Sequence, residues 1–157
     1  AVPMSTMYQQ TPHLSDVAAG LIELLEAASG TLELKRIYKD EPPRVDAFPS
    51  AAVAPLRTRR QLNETGMMYT MQHELIVYYY FAKIVTEDKL ATEAMQRAER
   101  IVDEIIARDP VTQGPQTLNG LVFNLVADQL ENGTVRRGGA KLRTVRINVS
   151  AQSRVLA

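Results

Sequence analysis

The stretch TMQHELIVYYYFAK, residues 70–83, limits what this chain can fold into more than any other. Its first half alternates polar and apolar, as a strand with one wet face does, and its second half is apolar and aromatic on both faces. On a strand, Met71, His73, Leu75, Val77, Tyr79 and Phe81 share one face, and Gln72, Glu74, Ile76, Tyr78 and Tyr80 share the other. A fold built on it must cover both sides of the second half, with its own chain or with another copy.

The 157 residues suit one domain with a proper core, and the expected domain spans 1–157. Hydrophobic residues make up 45% and charged residues 23%, which fits neither disorder nor a fibrous repeat. A formal net charge of zero argues against a dedicated nucleic-acid binder and leaves only local patches to consider. Cysteine is absent, which removes disulfides, thiolate metal sites and cysteine nucleophiles together. No apolar run reaches the roughly 18 residues of a membrane span, and AVPMSTMYQQ lacks the regions of a secretory signal. The three N-x-[ST] matches, beginning at Asn63, Asn132 and Asn148, are read as chance.

Residues 1–11 read as an extended arm. Thr11-Pro12 is a helix start, and Leu14, Val17, Ala18, Leu21, Leu25 and Ala28 recur at helical spacing until Gly30. A short strand is expected over Thr31–Lys39, broken by Asp40-Glu41-Pro42-Pro43, with a loop from Arg44 to Phe48. The strand PSAAVAPL, residues 49–56, consists mostly of small residues and needs something bulky against it. Residues 57–69, with Arg57, Arg59 and Arg60 at the start and Gly66 near the end, read as the tip of a long protruding β-hairpin whose returning strand is the opening stretch. Thr86, with Glu87 and Asp88, starts a second helix, in which Leu90, Ala94, Ala98, Ile101 and Ile105 form a stripe widened by Val102 and Ile106. Asp109-Pro110 stops it. A strand from about Leu121, a turn or bulge at Glu131-Asn132-Gly133, and a final strand after Arg137-Gly138-Gly139-Ala140 complete the order α-β-β-β-α-β-β. The expected class is α+β, an antiparallel or mixed sheet with both helices packed on one face. Two helices on one face leave Ile76, Tyr78 and Tyr80 uncovered, so this strip is the expected subunit contact surface.

The inventory for catalysis is thin. His13 and His73 are the two histidines, and an ordinary hydrogen-bonded role outweighs a base or ligand role for each. Neighbouring acids such as Asp40-Glu41, Glu87-Asp88 and Asp103-Glu104 point in different directions and do not converge as paired catalytic carboxylates must. No catalytic or phosphate-binding motif is present, and neither a cofactor nor a metal is expected. Arg57, Arg59 and Arg60 would suit phosphate or, better, an acidic surface on a neighbouring protein. Of the three consecutive tyrosines, only Tyr78 and Tyr80 share a face, which favours a core or interface role over base stacking.

Taken in order, "FPSAAVAPL", the arginine-rich tip, "HELIVYYYFA", the helix "ATEAMQRAERIVDEIIARD" and the loop "TQGPQTLNGLV" form a pattern. It resembles the tail terminator proteins of long-tailed bacteriophages over nearly the whole chain. Its most telling part is Asp109 followed by Thr117-Leu118-Asn119-Gly120 after the amphipathic helix. The resemblance implies a structural virion protein at the head-tail junction, assembled in the host cytoplasm and without catalytic residues. It implies a homohexameric ring that caps the tail tube, stops tube polymerisation and faces the head connector, with the tail tube protein and the connector or stopper protein as partners. Another neck component, a head-completion protein or tube subunit, is the nearest alternative, and a small nucleic-acid-binding module a more distant one. The segment from Asp40 to Pro49 is richer in proline and charge than the pattern leads one to expect.

Overall fold

The computed structural model describes residues 13–62, 68–85, 90–109, 112–118 and 120–156. The arm 1–11, the helix starts at Thr11-Pro12 and Thr86, and Pro110 and Asn119 lie outside them. Helix α1 (Leu14–Ala27) buries Val17, Ala18, Leu21, Ile22 and Leu25, a stripe at three- and four-residue spacing. Its first turn is closed by the amide of His13, which donates to Asp16 Oδ2 at 3.0 Å. After α1 the chain turns, with Glu33 at φ 58°, and Leu32 and Leu34 enter the core from that turn. The strand expected over residues 31–39 is therefore reduced to β1 (Arg36–Tyr38).

Strands β2 (Ser50–Leu62), β3 (Met68–Lys83), β4 (Asn124–Arg137) and β5 (Ala140–Leu156) complete a five-stranded sheet of order β1-β2-β3-β5-β4. All neighbours are antiparallel except β1 and β2, which run parallel from Arg36↔Ser50 to Tyr38↔Ala52. The second helix, α2 (Ala91–Ile101), continues as a π-helical turn (Val102–Ile106). The extra residue of that turn lets Ile105 and Ile106 both point inward, and each is buried. The chain is thus α+β, with α1 and α2 on one face of a mixed sheet. None of the described helices is long and apolar enough to cross a membrane.

The core between helices and sheet gathers Leu21, Leu25, Ile101 and Ile105 with Leu75, Val77 and Tyr79 of β3 and with Val145, Ile147 and Val149 of β5. This is the helix-covered face expected from alternation. Phe81 sits where the β3–β5 register shifts between Tyr80 and Ala82, and it is partly buried against the same core.

The opposite face is not the exposed strip expected from the sequence. Ile76 is 5% exposed, Tyr78 8% and Tyr80 0%. They form a second apolar cluster with Val45, Ala52, Ala54 and Leu142, flanked by Tyr38 and Phe48. The cause is topological. Parallel strands cannot be joined by a tight turn, so the chain between β1 and β2 must cross a face of the sheet to start again at the same end. Residues 39–49 make that crossing as a strap over the far face, with Pro42 and Val45 buried. The proline- and charge-rich segment is therefore the missing cover, and Ile76, Tyr78 and Tyr80 are a core rather than a free subunit contact.

The hairpin also differs from the expected one. Strand β2 continues through Arg57, Arg59 and Arg60 to Leu62, paired with β3 as far as Leu62↔Tyr69, so most of the expected tip is strand; residues 63–67 lie outside the described residues. Strand β5 accompanies β3 to Met68↔Leu156, so the outer part is a three-stranded extension rather than a two-stranded ribbon.

Candidate functional site

The strap and the strand face beneath it form the most elaborate local arrangement. The rings of Tyr78 and Tyr80 lie two residues apart on β3 and so stack on one face. The guanidinium of Arg137, from the end of β4, sits 5.9 Å from the Tyr78 ring centre. Burial pushes the Tyr78 hydroxyl up to about 12, and the neighbouring Glu41 carboxylate on the strap adds to the shift. Burial raises Tyr80 as well, opposed by the charge of Arg137. On the helix side, burial pushes Tyr79 up to about 12 against the opposing influence of Arg97. The strap is fastened at its ends by Asp46, which accepts from the Tyr38 hydroxyl at 3.3 Å and lies 3.7 Å from Arg36. In its middle, Arg44 packs on the β4–β5 turn.

Strand β2 carries a bulge at Leu56, between Pro55 and Arg57, and strand alternation beyond it divides the three arginines. Beyond the bulge Arg57 and Arg59 stand opposite Glu74 and Gln72 on the far face, whereas Arg60 stands opposite Met71 on the helix face. Arg57 Nε lies 2.7 Å from Glu74 Oε2, and Arg59 Nε lies 3.8 Å from the same oxygen. Two of the three are thus committed to an intramolecular carboxylate, and they do not form one tip with Arg60. Arg60 instead lines an open depression of about 470 Å³ with His13, Leu14, Ser15, Thr58 and Met71.

Beside that depression His73 is fully buried, with Nδ1 3.0 Å from Thr58 Oγ1 and Nε2 3.2 Å from Ser153 Oγ. Three neighbouring strands are therefore joined through one imidazole. The hydroxyls serve as donor or acceptor as the neutral tautomer requires. Burial lowers the His73 pKa, His13 lowers it further, and Asp16 opposes both. Ser153 is 2% exposed, so the Ser-His pair is closed to a substrate and acts as a tie between strands. His13, at the start of α1, borders the depression without joining this triplet.

Two contributors carry no sequence pattern. Gln116, 2% exposed, donates from Nε2 to the carbonyls of Ile105 (3.0 Å) and Arg108 (3.2 Å) and accepts at Oε1 from the amide of Leu118 (3.1 Å). It satisfies the open end of the second helix and fixes the loop that leads into β4. Val45 is the other, an apolar residue set between Arg44 and Asp46 in a segment of turn formers. Among the described residues no group of three or more His, Asp or Glu could hold a metal ion.

No protein-family model matches the chain, and no curated protein matches it in sequence.

Proposed function

We propose that this chain is a structural subunit of a ring at the head-tail junction of a long-tailed bacteriophage, where the ring caps the tail tube, ends its polymerisation and faces the head connector. The observation that carries this reading is the α+β architecture itself: two helices on one face of a mixed sheet, in the order of the resemblance, with β2, β3 and β5 extended together at one end. Such an extension offers two sheet faces and a strand edge beyond the helical layer, which suits a subunit that touches several neighbours at once. Several residues with chemical potential serve the fold. His73 ties strands, Glu74 holds two arginines, and the tyrosines fill a core.

The experiment is to purify the chain, measure its mass by light scattering, image it, and add it to polymerising tail tubes. The reading expects closed rings of about six copies that bind tube ends and halt elongation. A chain that stays monomeric and leaves tube length unchanged would overturn it.

A further inference from the structure

A chain without net charge can still be strongly polarised, and this one is. Helices α1 and α2 with the π-helical turn carry seven acidic side chains and two arginines. Both arginines are taken up locally, Arg97 by Glu33 and Glu93, and Arg100 by Glu104. The exposed Glu23, Glu26, Glu99 and Asp103 have no cationic partner among the described residues. Strands β4 and β5 are the reverse, with six basic side chains and two acidic ones.

At the turn of that hairpin the exposed Arg136 and Lys141 are directly opposite each other in the ladder, and neither belongs to an ion pair among the described residues. Like charges facing across a strand pair repel. Glu99 and Asp103, four apart on the helical layer, repel in the same way. The chain therefore holds two patches of unbalanced charge, opposite in sign.

They cannot relieve one another within one molecule. Asn132 Nδ2 donates to the carbonyl of Ala91 at 2.6 Å, which fixes the start of α2 beside the middle of β4. From there the helix runs back towards the loop held by Gln116, at the beginning of β4, while the hairpin turn lies beyond Asn132 in the other direction. Helix and strand rises put Glu99 and Arg136 on the order of 25 Å apart. That is about three Debye lengths, about 8 Å each, at physiological salt.

We infer that the occupant of each patch is the other patch on a second copy of this chain: the β4–β5 turn around Arg136 and Lys141 of one subunit docks on the acidic helical face around Glu99 and Asp103 of the next. Because the two patches differ and stand well apart, a subunit docked through one can receive a further copy on the other, head-to-tail, and the chain of contacts closes into a ring or continues as a filament. Attraction of the two faces guides the encounter, and repulsion between like faces opposes turn-to-turn and helix-to-helix pairing. The inference names the contact of the ring reading and rests on that reading only for closure.

Two variants test it, Arg136→Glu with Lys141→Glu, and Glu99→Lys with Asp103→Lys. All four positions are exposed, and circular dichroism checks that each variant is folded. Each alone presents like-charged faces and should weaken self-association by about tenfold or more. Mixed together they are complementary at both contacts, so the mixture should recover wild-type mass by light scattering with the two variants in equal amounts. Wild-type association should also weaken as salt approaches about 1 M, where the Debye length is about 3 Å.

Rings that persist unchanged in both variants would overturn this contact and leave the ring reading standing. Charge-dependent filaments or dimers would support the contact and remove the ring. A monomeric wild type at low salt would overturn both. If the hairpin variant instead loses binding to duplex DNA while self-association is unchanged, the partner is a polyanion and the inference fails.

Discussion

Tyr78 and Tyr80 stack with their ring centres 6.1 Å apart and their planes 7° from parallel, beneath a strap formed by the chain that joins two parallel strands. Tyrosines held in this way are structural within the single chain. The double change Tyr78→Ser with Tyr80→Ser should lower stability by on the order of 5 kcal/mol, read by thermal or urea unfolding of the monomer. Unchanged monomer stability with loss of assembly alone would show that the strip is an intermolecular surface.

Gly138 and Arg44 give a sharper test of the strap. Gly138 has φ +61°, and a Cβ there would meet Arg44 Cγ at 3.0 Å, whereas the neighbouring Gly139, at φ +79°, has open space. Both substitutions to alanine carry the left-handed backbone cost of about 1–2 kcal/mol. Gly138→Ala should cost more than Gly139→Ala because it also displaces the strap. Equal losses in unfolding free energy would mean that the strap yields freely at Arg44.

Ile105 is 3% exposed and belongs to the helix-side core with Leu75 and Val77. Ile105→Ala should destabilise the chain by about 2–5 kcal/mol in chemical unfolding. A loss below about 1 kcal/mol would mean that the π-helical turn repacks to fill the space.

The buried His73 predicts a pH dependence with a definite sign. Its folded pKa lies below the ordinary 6.5, so between those two values the unfolded chain binds the extra proton. Its contribution to stability is complete above about pH 6.5, falls as the pH drops from there to the folded pKa, and then levels off, with a slope of at most about 1.4 kcal/mol per pH unit. His73→Gln should be less steep than wild type in that window when stability is followed by urea unfolding at successive pH values. Parallel curves would assign the acid sensitivity to other groups.

Tyr78 and Tyr79, pushed up to about 12, give the opposite dependence at the alkaline end. The unfolded tyrosines ionise near 10, so stability should decline as the pH rises from about 10 to about 12. Tyr79→Phe should reduce that decline, monitored by unfolding together with tyrosinate absorbance.

What the sequence determined by itself is the part of the fold written in short-range periodicity. Alternation along residues 75–81 places Leu75, Val77 and Tyr79 on one face, and a three- and four-residue repeat places Ile101 and Ile105 on one stripe; these two patterns meet in the helix-side core. Residues two to four apart share a face whatever else the chain does, so this much is local. The tertiary structure decided the rest. The bulge at Leu56 adds one residue to β2 and exchanges the faces of the residues beyond it, so that Arg57 and Arg59 take the far face and Arg60 the helix face, the reverse of what alternation continued from Val53 gives. The parallel pairing of β1 with β2 likewise depends on partners across the sheet. It is this pairing that draws residues 39–49 over Ile76, Tyr78 and Tyr80 and turns an expected contact surface into a second core. Val45 meets residues some thirty positions away and also Leu142 near the other end of the chain, with no repeating neighbours to announce it, because burial is a property of the assembled surface and not of the segment that is buried.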